Sequence, residues 1–227
     1  MRTLTINRNQ IDYAGTFERP VFSLVGNTCI LEGLYDTFSR FGVTLSDFRL
    51  DTNMAVPAEN GVNVFLKSLG QYRLKFDRVE WTVLNFVDED FPRSPEVLAC
   101  GEEWLRSVEE NLTFKNHTFV YGAHCLLAEG TAKDFLLSLP NKSDLSLGDG
   151  LGNGLIFNWY DADIHGRFNL ILDHSLSVKD GIFIQLICVI EKDGINYHQV
   201  LSNGQQSLNK VLDHCGLQFE QETEVVS

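Results

Sequence analysis

The sequence predicts an α+β protein made by tandem duplication of a β-α-β-β-β-α unit, with an antiparallel sheet and its helices mainly on one face. Two helical segments share a pattern, Val97-Leu98-x-x-Gly101-x-x-x-Leu105-x-x-Val108 and Val200-Leu201-x-x-Gly204-x-x-x-Leu208-x-x-Val211, at an offset of 103 residues. The same offset carries Leu24, Thr28 and Leu34 onto Leu127, Thr131 and Leu137. It also carries Phe65 and Leu69 onto Phe168 and Leu172, and Asp77 onto Asp180. One spacing that registers several elements in order marks an internal repeat. The long helices are amphipathic and segments such as 167–173 alternate, a pattern that sets helices against one face of a sheet and leaves the other partly open.

In the first unit a strand near 18–25 leads into a helix opened by Asn27 or Thr28, whose side-chain oxygens can cap free amides. Ile30, Leu31, Leu34, Tyr35, Phe38 and Phe41 form its apolar stripe. Strands follow near 43–50, 62–69 and 72–87. Ser94 as cap and Pro95 in the first turn open a second helix, with Val97, Leu98, Trp104, Leu105, Val108 and Leu112 spaced for one face. The second unit repeats this with a strand near 117–127 and a short helix capped by Thr131, with Asp134 in capping-box position and Pro140 at its end. Strands then follow near 154–160, 167–174 and 181–191. A final helix over about 196–215 stops at Gly216, and Gln218 to Ser227 reads as frayed and acidic. The boundaries are thus 1–114 and 115–216 for two repeats packed as one unit, and 217–227 for a tail. Gly101 and Gly204 each cost about 1 kcal/mol against alanine inside a helix, and their matched places suggest close approach of helix to sheet.

A hydrophobic content of 44% with 22% charged residues is the balance of a self-folding globular chain. Its 31 acidic and 18 basic residues give a net charge of −13, which repels phosphate backbones and anionic membranes and speaks against nucleic acid as a partner. The strand bearing Arg73, Lys75 and Arg78 is the local exception to that sign. Five cysteines, widely spaced and without a C-x-x-C pair, argue against a disulfide framework and against zinc. With no apolar signal core after Met1 and no run of about 18 apolar residues, the reading is a cytoplasmic, non-membrane protein. Asn111, Asn116 and Asn141 then head chance glycosylation sequons.

The element order of the two units resembles the general plan of TATA-box-binding-protein-like and other helix-grip folds. The chain is also similar to sporadically distributed, uncharacterised bacterial proteins of like length. The resemblance implies the duplicated α+β plan and a prokaryotic setting, and it brings no motif with assigned catalytic residues.

The most metal-like string is Asp161-Ala-Asp163-Ile-His165, near Asp173-His174. Alternate spacing can turn its carboxylates and imidazole to one side of an extended segment, where they could ligate Mn, Fe or Zn. The competing reading is an ordinary inter-strand turn. The run 148–154 is glycine-rich but has neither a P-loop lysine nor a helix amino terminus, so it reads as a flexible inter-strand loop, with a mobile lid or contact loop as the alternative. His124 and Cys125 are neighbours, which on a strand puts them on opposite faces and prevents a thiolate-imidazole pair. Asp88-Glu89-Asp90 reads as a solvated connection, and Trp81, Trp104 and Trp159 as core or ligand-stacking residues. Arg73, Lys75, Arg167 and Asn169 are the candidate binding surface on the sheet.

No cofactor and no catalytic residue is assigned. The expectation is a non-enzymatic protein-binding or adaptor protein with a protein partner, similar in composition to accessory components of prokaryotic antiviral defence systems, CRISPR-associated ones included. The alternatives are an immunity or inhibitor protein steered by charge toward a basic toxin or nuclease, and a metal-dependent hydrolase using Asp161, Asp163 and His165.

Overall fold

A computed structural model describes residues 1–24, 28–52, 56, 59–85, 93–138 and 154–220. It is an α+β protein built on one large, mostly antiparallel sheet with four α-helices. In chain order the elements are β1 (Arg2–Phe17), α1 (Thr28–Phe38), β2 (Phe48–Asp51), β3 (Gly61–Phe65), β4 (Gln71–Lys75), β5 (Arg78–Leu84) and α2 (Ser94–Val108). Then come β6 (Phe114–Leu127), α3 (Ala132–Ser138), β7 (Leu155–Asp161), β8 (Gly166–His174), β9 (Ile182–Ile190), α4 (Tyr197–His214) and β10 (Leu217–Phe219). The strand order is β2-β3-β4-β5-β1-β6-β9-β8-β7, with β10 added in parallel to the start of β1.

β1 and β6 form the spine, antiparallel from Leu4 opposite Leu127 to Phe17 opposite Phe114. Sequence reading missed β1 because its alternation changes phase. Leu4 and Ile6 set one parity and Ile11, Tyr13 and Phe17 the other, with a register shift between Ile6 and Arg8. A bulge inserts a residue and lets both parities reach the same face. The strand expected near 18–25 is replaced by a connection past Pro20 and a 3-10 turn over Phe22–Leu24. The expected strand 72–87 contains a hairpin, since β4 and β5 pair across a two-residue turn at Phe76-Asp77. Among the described residues the first unit therefore carries one more strand than the second. Phe65 lies in β3 and Leu69 in the turn after it, while Phe168 and Leu172 both lie in β8. The tail also begins later than expected, because Leu217–Phe219 is a strand with Leu217 fully buried.

The second unit's elements fall close to expectation. Thr131 and Asp134 cap α3 reciprocally, with the Asp134 amide donating to the Thr131 hydroxyl at 3.1 Å. Asn196 caps α4 by accepting from the Gln199 amide at 3.1 Å. Gly216 ends that helix at φ 73°, a conformation costly for a residue with a Cβ. α2 starts without a side-chain cap at Arg93, and Ser94 is its first helical residue.

Burial alternates along the sheet. Ile182, Ile184, Leu186, Cys188 and Ile190 of β9 are buried, while Phe183, Gln185, Ile187 and Val189 between them are partly exposed. On the buried side Tyr72 fills the space beneath Gly101 of α2, leaving a Cβ there only 2.7 Å from the ring. Gly33 of α1 admits the Trp104 indole equally closely. Each fully buried leucine or aromatic on this side contributes about 1.5–3 kcal/mol of transfer free energy. Trp81 is fully buried and its indole N–H donates to the Leu69 carbonyl at 2.8 Å, so it belongs to the core. Segment 88–90, most of the glycine run, Asn27, Pro140, Asn141 and residues 221–227 lie outside the described residues.

Candidate functional site

The catalytic reading is tested first at residues 161–165. The Asp161 carboxylate accepts from the Asp163 amide at 2.9 Å through one oxygen and from Asn203 Nδ2 at 3.1 Å through the other. It is closing the β7–β8 turn and tying it to α4. His165 adopts φ 53° and pairs with the Tyr160 hydroxyl at 3.1 Å, and Asp163 is exposed. The string closes the β7–β8 turn, and among the described residues no three His, Cys, Asp or Glu side chains come together to hold a metal ion.

His124 and Cys125 face opposite ways. His124 Nδ1 meets the Ser175 hydroxyl at 2.8 Å, whereas Cys125 is fully buried with its thiol pushed up to about 12 by burial. A thiol so protonated is a packing residue, not a nucleophile.

A further polar cluster lies in the core and draws single residues from separate elements, so no local pattern reveals it. Tyr13 of β1 bonds His117 of β6 at 2.9 Å and Tyr197 of α4 at 3.0 Å. Tyr197 donates to Glu102 of α2 at 2.5 Å, and Glu102 and Asp193 both pair with Arg106. Burial raises the Tyr13 and Tyr197 hydroxyls above their ordinary range and lowers His117 to about 4, so all three stay neutral. With Tyr13, His117 and Tyr197 between 0% and 5% exposed, the cluster is a fastener joining four elements.

The surface residues expected to bind divide by strand. Lys75 is 3% exposed, pairing with Glu59 at 2.7 Å and Glu80 at 3.4 Å. Arg73 and Arg78 also pair with Glu80, and Arg78 with Asp77. Three cations thus meet three carboxylates, so this local exception to the acidic sign carries balanced charge, and Lys75 is removed from the accessible surface. Arg167 pairs with the exposed Glu191, and Asn169 donates to Asn158 at 2.8 Å.

Around Arg167 and Asn169 the partly exposed side of the sheet is apolar. The register sets Ile156 opposite Ile171 and Ile187 opposite Val120, with Val189 next along β9. Ile156 is 63% and Tyr160 57% exposed at the outer strand. Alternation along a strand puts these side chains on the side away from Leu170, Leu186 and Phe119. They share one face over four strands, with Gln185 opposite Ile171 and Asn169 opposite Ile187 set among them.

A second concavity, of about 460 Å³, lies on the other side between α4, β10 and the strands β1, β6 and β9. Ile11, Phe119, Leu186, Leu208 and Leu212 line it, with Asp213 and Glu220 also among the lining residues. It exists because α4 stands off where α2 does not. A Cβ on Gly204 would meet nothing nearer than Leu186 Cδ2 at 3.7 Å and Phe168 Cε1 at 3.9 Å. The two matched glycines therefore differ, one required by close contact and the other with room for a Cβ at ordinary contact distance. Set beside known proteins, the chain matches no family model and no curated protein, so the geometry alone bears on its function.

Proposed function

We propose that this is a non-enzymatic binding protein that docks a protein partner on the partly exposed side of its sheet, over Ile156, Ile171, Ile187, Val189 and Val120. The observation that carries the reading is this group of partly exposed aliphatic side chains on one face of the sheet, because clustered apolar surface on a folded chain marks an interaction surface. The partner's chemistry follows from the surroundings: an apolar centre to match the patch, with basic residues outside it to match a chain of net charge −13. Two readings accompany the proposal. The helices sit mainly on the opposite side, and the halves are copies of one unit. The second is supported by strand order, since β5-β4-β3 and β9-β8-β7 run outward from the β1–β6 pair in the same sequence.

The test compares wild type with an Ile171→Arg/Ile187→Arg variant in pull-downs from the native host. A partner held by wild type and lost by a variant of unchanged melting temperature supports the reading. An unchanged set of captured proteins, or none above background with wild type, rejects it.

A further inference from the structure

We infer that the groove beneath α4 binds a small amphipathic cation, an apolar body carrying one protonated amine. A volume of about 460 Å³ suits a small molecule and is too narrow for a folded partner. Its walls, Ile11, Phe119, Leu186, Leu208 and Leu212, offer apolar contact from both the sheet and the helix. Such walls reward an apolar body and do nothing for a head group.

The head group is selected by charge. Among the described residues, the charged ones lining the groove are Asp213 and Glu220, and none that lines it is a lysine, arginine or histidine. Both carboxylates are exposed, so they belong to the mouth rather than the floor. Glu220 is held in place by the Thr5 hydroxyl at 2.7 Å. Asp213 stands in the last turn of α4, where the partial negative charge of the helix end adds to its own. An anion would meet two like charges and a helix carboxyl end, whereas an ammonium would meet complementary charge over an apolar slot. Gln205, Asn209 and Gln218 supply neutral hydrogen-bonding groups alongside.

This site lies across the sheet from the proposed docking patch, shares only Val120 with it among the residues named, and does not depend on it. Calorimetric titration with decylamine and with decanoate, each below its micellar range, presents one apolar chain with opposite heads. Decylamine is expected to bind at one site per chain, roughly tenfold more tightly than decanoate. Asp213→Asn with Glu220→Gln, both exposed changes, should erase that preference. Gly204→Leu should put a side chain into the slot and abolish binding while leaving capture by the sheet patch intact. If Gly204→Leu does not fold, the head-group preference decides by itself. Equal or tighter binding of decanoate, no binding of either probe, or undiminished binding to a folded Gly204→Leu variant would overturn the inference. Decylamine binding that appears only after residues 221–227 are removed would give the groove to the chain's own end and overturn it equally.

Discussion

His117 is the residue whose burial is most open to measurement. It is fully buried against Tyr13, with Arg106 and Asp193 as the charges nearest in effect, and its imidazole titrates at about 4 rather than 6.5. The depressed value means that the unfolded chain takes up this proton first as pH falls. Stability is therefore complete above about pH 6.5, declines from there toward pH 4, and is then lower by roughly 3 kcal/mol. The carboxylates of Glu59, Glu80 and Asp193 are lowered by their hydrogen bonds to Lys75, Arg78 and Arg106, against burial in the last two cases. Their loss falls below the ordinary carboxylate range, so the window from 6.5 to 4.5 reports on histidine. His124 is also lowered, by partial burial and by Arg8, so chemical denaturation of wild type across that window should show a steeper fall in stability than a His117→Phe variant. Equal slopes would mean that the imidazole is solvated.

At the scale of the element, the two helix glycines give opposite expectations from one chemical change. Gly101→Ala pushes a methyl into the fully buried Tyr72 ring and should cost about 1–3 kcal/mol, as overpacking does. Gly204→Ala meets only ordinary contact distances and should be neutral or stabilising by up to about 1 kcal/mol through helix propensity. Urea unfolding of the two variants checks both signs. From sequence, Gly101 and Gly204 look alike, because helical periodicity reports which face is buried and not how far the helix stands from the sheet. That distance depends on Tyr72 and Phe168, which come from other strands. The same limit explains what else was legible. α4 with its cap and Gly216 stop, and β8 and β9 with unbroken alternation, follow from local pattern. β1 hid behind its bulge, and the Tyr13-His117-Tyr197-Glu102 cluster draws single residues from four elements. The candidate sites divide likewise: Arg167 and Asn169 border the patch, while the groove's lining is ordinary core sequence.

Over the whole molecule, the polar cluster argues against halves that unfold separately. Tyr13 and Glu102 belong to the first half, His117, Asp193 and Tyr197 to the second, and the β1–β6 pair runs across the boundary. Separating the halves would strand buried hydroxyl and imidazole groups, at about 1–3 kcal/mol apiece, and open the spine of the sheet. A single thermal transition is expected by calorimetry, with calorimetric and van't Hoff enthalpies in agreement. Two resolved transitions would show that the fastener does not couple them. The central pair also has a kinetic consequence. Partners such as Leu4 and Leu127, or Phe17 and Phe114, lie about 100 residues or more apart along the chain, and β10 reaches β1 from further still. Closing such loops spends entropy before any strand contact repays it, so the slow event in folding is the search of β1 for β6. Until that search succeeds, β1 and β6 have no neighbour on the edges they later share. The interval between synthesis and pairing is when this protein is most exposed to association with other chains.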